Sequence, residues 1–228
     1  MIEFEELLIN RNKCVIFKAE RYVNGKNGWI GGNIPEHFLS QDVFFERYKN
    51  NYWFYITIVS PLEPLKMYSI FVPKDSNRLN ENIYPKCSIL LVEHALSGES
   101  DNTCFTNTNI TKHEISIGKI VYNFEERYMD EDDEYPVWVA NDKIIPDEDV
   151  PSFLIKFGGT PNLIQTEDYY VNALQRDSME FLFQIDEQGY ASGSIRGNYP
   201  FKFGTVYIYA KISDKTIKEP CVGYWQFS

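Results

Sequence analysis

The chain has 228 residues, 43% hydrophobic and 16% aromatic, and its Tyr- and Phe-rich rings suit a large core of half-buried pleated surfaces. Asp and Glu number 33 against 22 Lys and Arg, a net charge of −11; phosphate-backbone binding draws on clustered cations, so nucleic acid is set aside as a partner. Runs such as "SILLV" are too short to span a bilayer, which sets a membrane aside as well.

In chain order, "MIEFEELLINRNK" carries acidic residues where a cationic leader would begin, and its apolar residues recur at helical spacing. It reads as a helix over residues 2–10, and a cytoplasmic location is the expectation. "CVIFKAE", "WFYITIV", "MYSIFVP", "SILLVEH", "HEISIGKIVYNF", "MEFLFQID", "GTVYIYAKI" and "VGYWQFS" read as strands, most of them bounded by Gly, Pro, Asn or Asp. Helices are expected at about 42–49, with Asp42 as N-cap, and at 167–175. In "EISIGKIVYNF" the apolar alternation slips phase at Gly118, which reads as a β-bulge. The class expected is mainly β, an internally duplicated sheet or roll with a few short helices.

The duplication rests on two stretches, "WIGGNIPEHFL" and "FGGTPNLIQ". Gly31 precedes the strand residue Phe54 by 23 positions, and Gly158 precedes Phe181 by the same 23. Pro35 and Pro161 follow the glycines, and a second aromatic strand follows each copy. The glycine pairs stand in no phosphate-binding frame and read as corners that need φ > 0. Between the copies, residues 114–150 hold 12 acidic and 3 basic residues, a local balance of −9 that contains most of the net charge. This gives a first β-rich half over 1–113, an acidic connector over 114–150 whose acid run "DEDDEYPVWVAN" reads as a solvated, partly disordered loop, and a second half over 151–228, packed as one unit.

The second half carries Gly158, Gly159, Pro161, Ile164 and Gln165, then Gln184, Ile185 and Asp186, then Gly204 leading an aromatic strand, and a closing Trp225-Gln226. In that order these positions resemble the YwqG-like family, a set of bacterial proteins whose domain has no assigned function; the likeness is strongest over 155–228. The resemblance implies a β-rich, internally duplicated fold and supplies no catalytic residue. Some relatives place a cysteine pair between Ile-Gln and Gln-Ile-Asp. "TEDYYVNALQRDS" has none, so no zinc is expected there.

As a strand, "EFLFQID" places Phe181, Phe183 and Ile185 on one face and Leu182, Gln184 and Asp186 on the other. Gln184 and Asp186, with Gln165 and Gln226 beside Trp225, would form a small polar pocket for a ligand. The alternative is that the amides brace turn and edge backbone, as buried amides must. The first copy offers Tyr55, Thr57 and Val59 at that offset, so the pocket is expected once. His37, His94 and His113 lack ligand spacing, and Cys14, Cys87, Cys104 and Cys221 lack a CxxC pair and read as free thiols. No nucleophile elbow is present, and the acid run fails the EF-hand pattern, so no metal, cofactor or catalytic residue is assigned. Two function classes remain. One is a non-catalytic interaction module, for instance an immunity-type protein neutralising a basic toxin, with Asp130, Glu131, Asp132, Asp133 and Glu134 as the dock for a basic protein partner. The other is an enzyme or small-ligand domain centred on Asp186.

Overall fold

Runs of β-branched and aromatic residues pair into sheets because each strand buries an apolar face, and the central runs over 52–59, 66–73, 180–185 and 204–210 are buried on both faces. The computed structural model describes residues 4–20, 27–130, 134–165, 171–197, 201 and 204–227. The first half contains β1 (Lys13–Phe17), β2 (Ala19–Glu20), β3 (Gly28–Ile30), α1 (Asp42–Tyr48), β4 (Tyr52–Val59), β5 (Lys66–Pro73) and β6 (Leu90–Ala95). The second contains β7 (His113–Ile115), β8 (Lys119–Tyr122), β9 (Phe124–Arg127), β10 (Val137–Ala140), β11 (Lys143–Ile144), β12 (Ile155–Gly158), α2 (Asn172–Arg176), β13 (Glu180–Ile185), β14 (Gly204–Ser213) and β15 (Thr216–Phe227). The protein is mainly β.

Two six-stranded sheets run in the orders β2-β7-β3-β4-β5-β6 and β8-β1-β12-β13-β14-β15, and every pairing in them is antiparallel. The two orders superimpose element by element. β3 to β6 correspond to β12 to β15, β2 to β8, and β7 to β1. Each half therefore lends one strand to the other: β1 pairs with β12 and β8, while β7 pairs with β3 and β2. The chain crosses between the sheets twice, at Lys18 and at 116–118.

The correspondence extends to irregularities. The β4–β5 ladder shifts register between Phe54 and Ile56, and the β13–β14 ladder between Phe181 and Phe183. The glycine corners match too, with φ of 64° and 71° at Gly31 and Gly32 and 76° and 65° at Gly158 and Gly159. These values lie in the left-handed region, which only glycine adopts at no steric cost. There is also no room for a side chain: a Cβ on Gly31 would lie 2.8 Å from the Ile110 carbonyl oxygen, and one on Gly158 2.9 Å from that of Leu7.

Side chains from both sheets merge in one buried cluster. Tyr68 of β5 meets Phe183 of β13 at 5.9 Å between ring centroids, and Tyr55 of β4 meets Trp225 of β15 at 5.9 Å. Each such side chain taken out of water is worth roughly 1.5–3 kcal/mol. The outer faces carry separate clusters. On the first sheet, α1 and a 3₁₀ turn over Glu36–Ser40 pack Phe38, Phe44 and Phe45 against Phe71 and Phe105. On the second, Leu174 of α2 joins Met179, Phe181, Tyr207 and Tyr209.

Several expectations are corrected by these pairings. Gly118 is no bulge; it ends the 116–118 link where the chain changes sheets, and a Cβ there would sit 2.5 Å from Cγ1 of Val15. The bulge lies in β13 instead, so Phe181 faces outward while Leu182 and Phe183 both enter the core. Asp42 is the first residue of α1, after the cap position Gln41, and makes no side-chain cap. The N-terminal helix is a short π-type turn over Glu5–Ile9 that buries Leu7 and Leu8. Part of the acid run expected as a loop is strand: Val137–Ala140 is β10, the middle strand of the three-stranded sheet β11-β10-β9 that the connector forms beyond the exchanged strands. That sheet seats Phe124 against Cys14, Ile16 and Phe153, with Trp138 packed alongside.

Candidate functional site

After Gly159 the chain turns across the outer face of the second sheet, and a set of polar side chains rising from β12, β13, β14 and β15 holds it there. Lys156 donates from Nζ to Oδ1 of Asn162 at 3.0 Å and to the Phe124 carbonyl, with the Phe124 ring 4.4 Å away. Oε1 of Gln184 accepts the Asn162 amide at 2.8 Å, and the Tyr207 hydroxyl donates to the Asn162 carbonyl at 2.7 Å. Oε1 of Gln226 accepts the amides of Ile164 and Gln165, each at 3.0 Å, and Nε2 donates back to the Gln165 carbonyl at 2.6 Å. Lys156, Gln184 and Gln226 have no exposed surface, so these bonds stand in for the water they gave up. Burial pulls the Lys156 ammonium down to about 8.

Asp186 follows β13 and stands at the rim of this set. Oδ1 accepts the Gln188 amide at 2.9 Å, capping a short 3₁₀ turn, and Oδ2 accepts from Nε2 of Gln184 at 3.3 Å. Burial raises its carboxyl above the ordinary value, opposed by the Gln188 amide, the Gln184 side chain and Lys156. Beside it opens a cleft of about 500 Å³, walled on one side by Asn162, Ile164 and Asp186 and on the other by Glu126, Trp138 and Asp147 from the three-stranded sheet region. Desolvation at the wall, followed by the nearby Asp147, raises the Glu126 carboxyl as well.

Of the expected pocket residues, Asp186 alone lines the cleft. Gln184 and Gln226 lie beneath it as braces, and Gln165 is held by its backbone. Trp225 belongs elsewhere: alternation along β15 turns it away from Gln226, into the core between the sheets, where it packs on Tyr55 and Phe201. Its indole covers Gly204, where a Cβ would lie 1.7 Å from Nε1, which is why that strand begins with glycine. Of the expected docking residues, Asp130 and Glu134 are exposed, and Glu131, Asp132 and Asp133 lie outside the described residues. Among the described residues no cluster of His, Cys, Asp and Glu is arranged to hold a metal ion, and no helix is long and apolar enough to cross a membrane. Cys14 and Cys104 are free thiols, and the Cys87 thiol lies 4.0 Å from the Gly223 carbonyl.

Sequence reasoning missed Lys156, Asn162 and Tyr207. The signal for the first was a lysine inside the apolar strand "IKFG", where a cation must be either solvated or fully bonded. It also missed a polar set in the first half: Ser69 lies 2.9 Å from Oγ1 of Thr57 and 2.8 Å from Nε2 of His94, all buried on the outer face. Comparison of the chain with protein-family models, with curated proteins and with solved structures gives no match.

Proposed function

We propose that this protein is a YwqG-like, non-catalytic interaction module whose 114–150 segment docks a basic protein partner. The observation that carries the reading is the surface chemistry of that segment. Seven of the thirteen large apolar side chains exposed among the described residues fall within 117–144, among them Tyr128, Met129, Tyr135 and Ile144. The same segment holds the acidic excess. Exposed rings and methionine among carboxylates make a surface that attracts cations at long range and offers apolar anchors on contact. Neutralisation of a basic toxin is one role such a surface suits.

The test is capture of partners from the native host, followed by kinetics with a variant in which Asp130, Glu134, Asp147, Glu148 and Asp149 become Asn or Gln. The reading expects a lysine- and arginine-rich partner, an association rate lowered about ten- to a hundredfold in the variant, and a weakened salt dependence. An unchanged rate and salt dependence would contradict it.

A second reading has one observation in its favour, the cleft beside Asp186. Here the protein binds a small cationic ligand between Asp186 and Glu126, with Trp138 as a flat apolar wall. Thermal-shift screening of wild type against Asp186→Asn separates the readings, because a ligand of this cleft stabilises the first and not the second.

A further inference from the structure

The outer face of the first sheet holds a pair of histidines that the proposed function leaves unused. His94 of β6 is 5% exposed. Its Nδ1 lies 2.8 Å from the Ala95 carbonyl, which can only accept, so Nδ1 carries the proton. Nε2 is then the lone-pair nitrogen, 2.8 Å from the Ser69 hydroxyl, whose one proton serves either Nε2 or Oγ1 of Thr57 at 2.9 Å. Over the face of the ring lies His37, with ring centroids 4.8 Å apart and planes within 20°, and the edge of Phe38 closes the remaining side at 5.1 Å.

His37 and Phe38 both belong to the 3₁₀ turn over Glu36–Ser40, which leads directly into α1. The turn is tethered by few bonds: the Glu36 amide to the Gly98 carbonyl at 2.9 Å and the His37 amide to Oγ of Ser97 at 3.4 Å. A second proton on His94 would reverse the Ser69 hydroxyl towards Thr57, which the geometry permits. It would also place a cation, itself almost without exposed surface, against the face of a second imidazole ring.

We propose that the stacked His37–His94 pair is a proton-sensitive latch, and that acidification releases the Glu36–Ser40 turn and α1 from the first sheet, exposing the rings of Phe38, Phe44, Phe71 and Phe105. The charges around the latch favour this direction. Burial and His37 both oppose the second proton on His94, and Glu93 on the same strand favours it less than burial opposes it, so the ring is pulled down to about 4. Thr57 and Ser69, which face it from β4 and β5, are uncharged. Because the folded value lies below the ordinary 6.5, the closed state is fully favoured above that pH and loses ground as pH falls towards about 4.

Hydrogen exchange of residues 36–48, corrected for the intrinsic pH dependence, tests the latch on the full chain. The expected result is an open population rising about tenfold per pH unit between roughly 6.5 and 4, the response of one proton, while β12–β14 stay protected. His94→Gln removes the response. His37→Phe keeps the stack and, by relaxing the opposition to His94, raises the pH at which the response levels off and makes the response smaller. A pH-independent 36–48 segment in wild type, a response surviving His94→Gln, or one unmoved by His37→Phe would overturn the latch. Opening of the whole chain in a single step would do so too.

Discussion

The two halves share a frame and differ in what they hang on its outer faces. By register, Trp29, Thr57, Ser69 and His94 occupy the places of Lys156, Gln184, Tyr207 and Gln226. Trp29 donates from Nε1 to the Asn33 carbonyl at 2.9 Å, doing with an indole what Lys156 does with an ammonium: each fixes the loop that follows its glycine corner. Equivalent positions thus brace the same loop with unrelated chemistry. This assigns Gln184 and Gln226 to bracing. It directs attention instead to the large difference: β2 and β3 are joined by 7 residues, whereas β8 and β12 are joined by 32, which hold the appended sheet, most of the acidic run and one wall of the cleft.

The sharpest way to break the equivalence is at the corners. Gly31→Val and Gly158→Val each force a β-branched side chain into positive φ and onto backbone, and each should cost about 3 kcal/mol or more, read as a loss of chemical stability. A large loss at one corner and none at the other would mean the halves are not equivalent. Next, Gln226→Ala strips the Gln165 amide and carbonyl of their side-chain partner, while the Ile164 amide keeps the Tyr207 hydroxyl at 3.1 Å, and should cost about 1–3 kcal/mol by denaturant titration.

Lys156 sharpens the comparison through pH. Its folded value, about 8, lies below the ordinary 10.5, so protonation favours the unfolded chain in that interval. Wild type should therefore gain about 1–3 kcal/mol as pH rises from 8 to 10.5, relative to Lys156→Met, which has nothing to titrate there. Parallel curves for the two proteins would contradict a buried, strained ammonium. The smallest effect is expected at Asp186. Burial raises its carboxyl, so ionisation costs stability as pH rises through the raised value, while Asn retains an oxygen for the Gln188 amide. Asp186→Asn should lie within about 1 kcal/mol of wild type at pH 7, relief of the buried charge being offset by the acceptor that Nε2 of Gln184 loses.

Much of the frame was legible in the residues. Strands such as "WFYITIV" and "TVYIYAKI" carry their own β-branched and aromatic evidence, and the glycine spacing pointed to the repeat. The strand exchange was not legible, because β1 finds its partners over a hundred residues away and no local pattern records that choice. Strands β9 to β11 escaped because their short apolar stretches are interrupted by charge, and one face of that sheet remains wet. The site was half legible. Alternation correctly paired Gln184 with Asp186 on one face; the same rule, applied to Trp225 and Gln226, would have separated those two.

The central functional claim is that partner contact lies on the appended sheet and not on the faces the halves share. The most direct test is a hydrogen-exchange footprint of the protein saturated with a captured basic partner. Protection confined to 119–130 and 134–150, and lost as salt is raised, is the predicted result. Protection centred on α1 and β4–β6, with 119–150 unchanged, would contradict it.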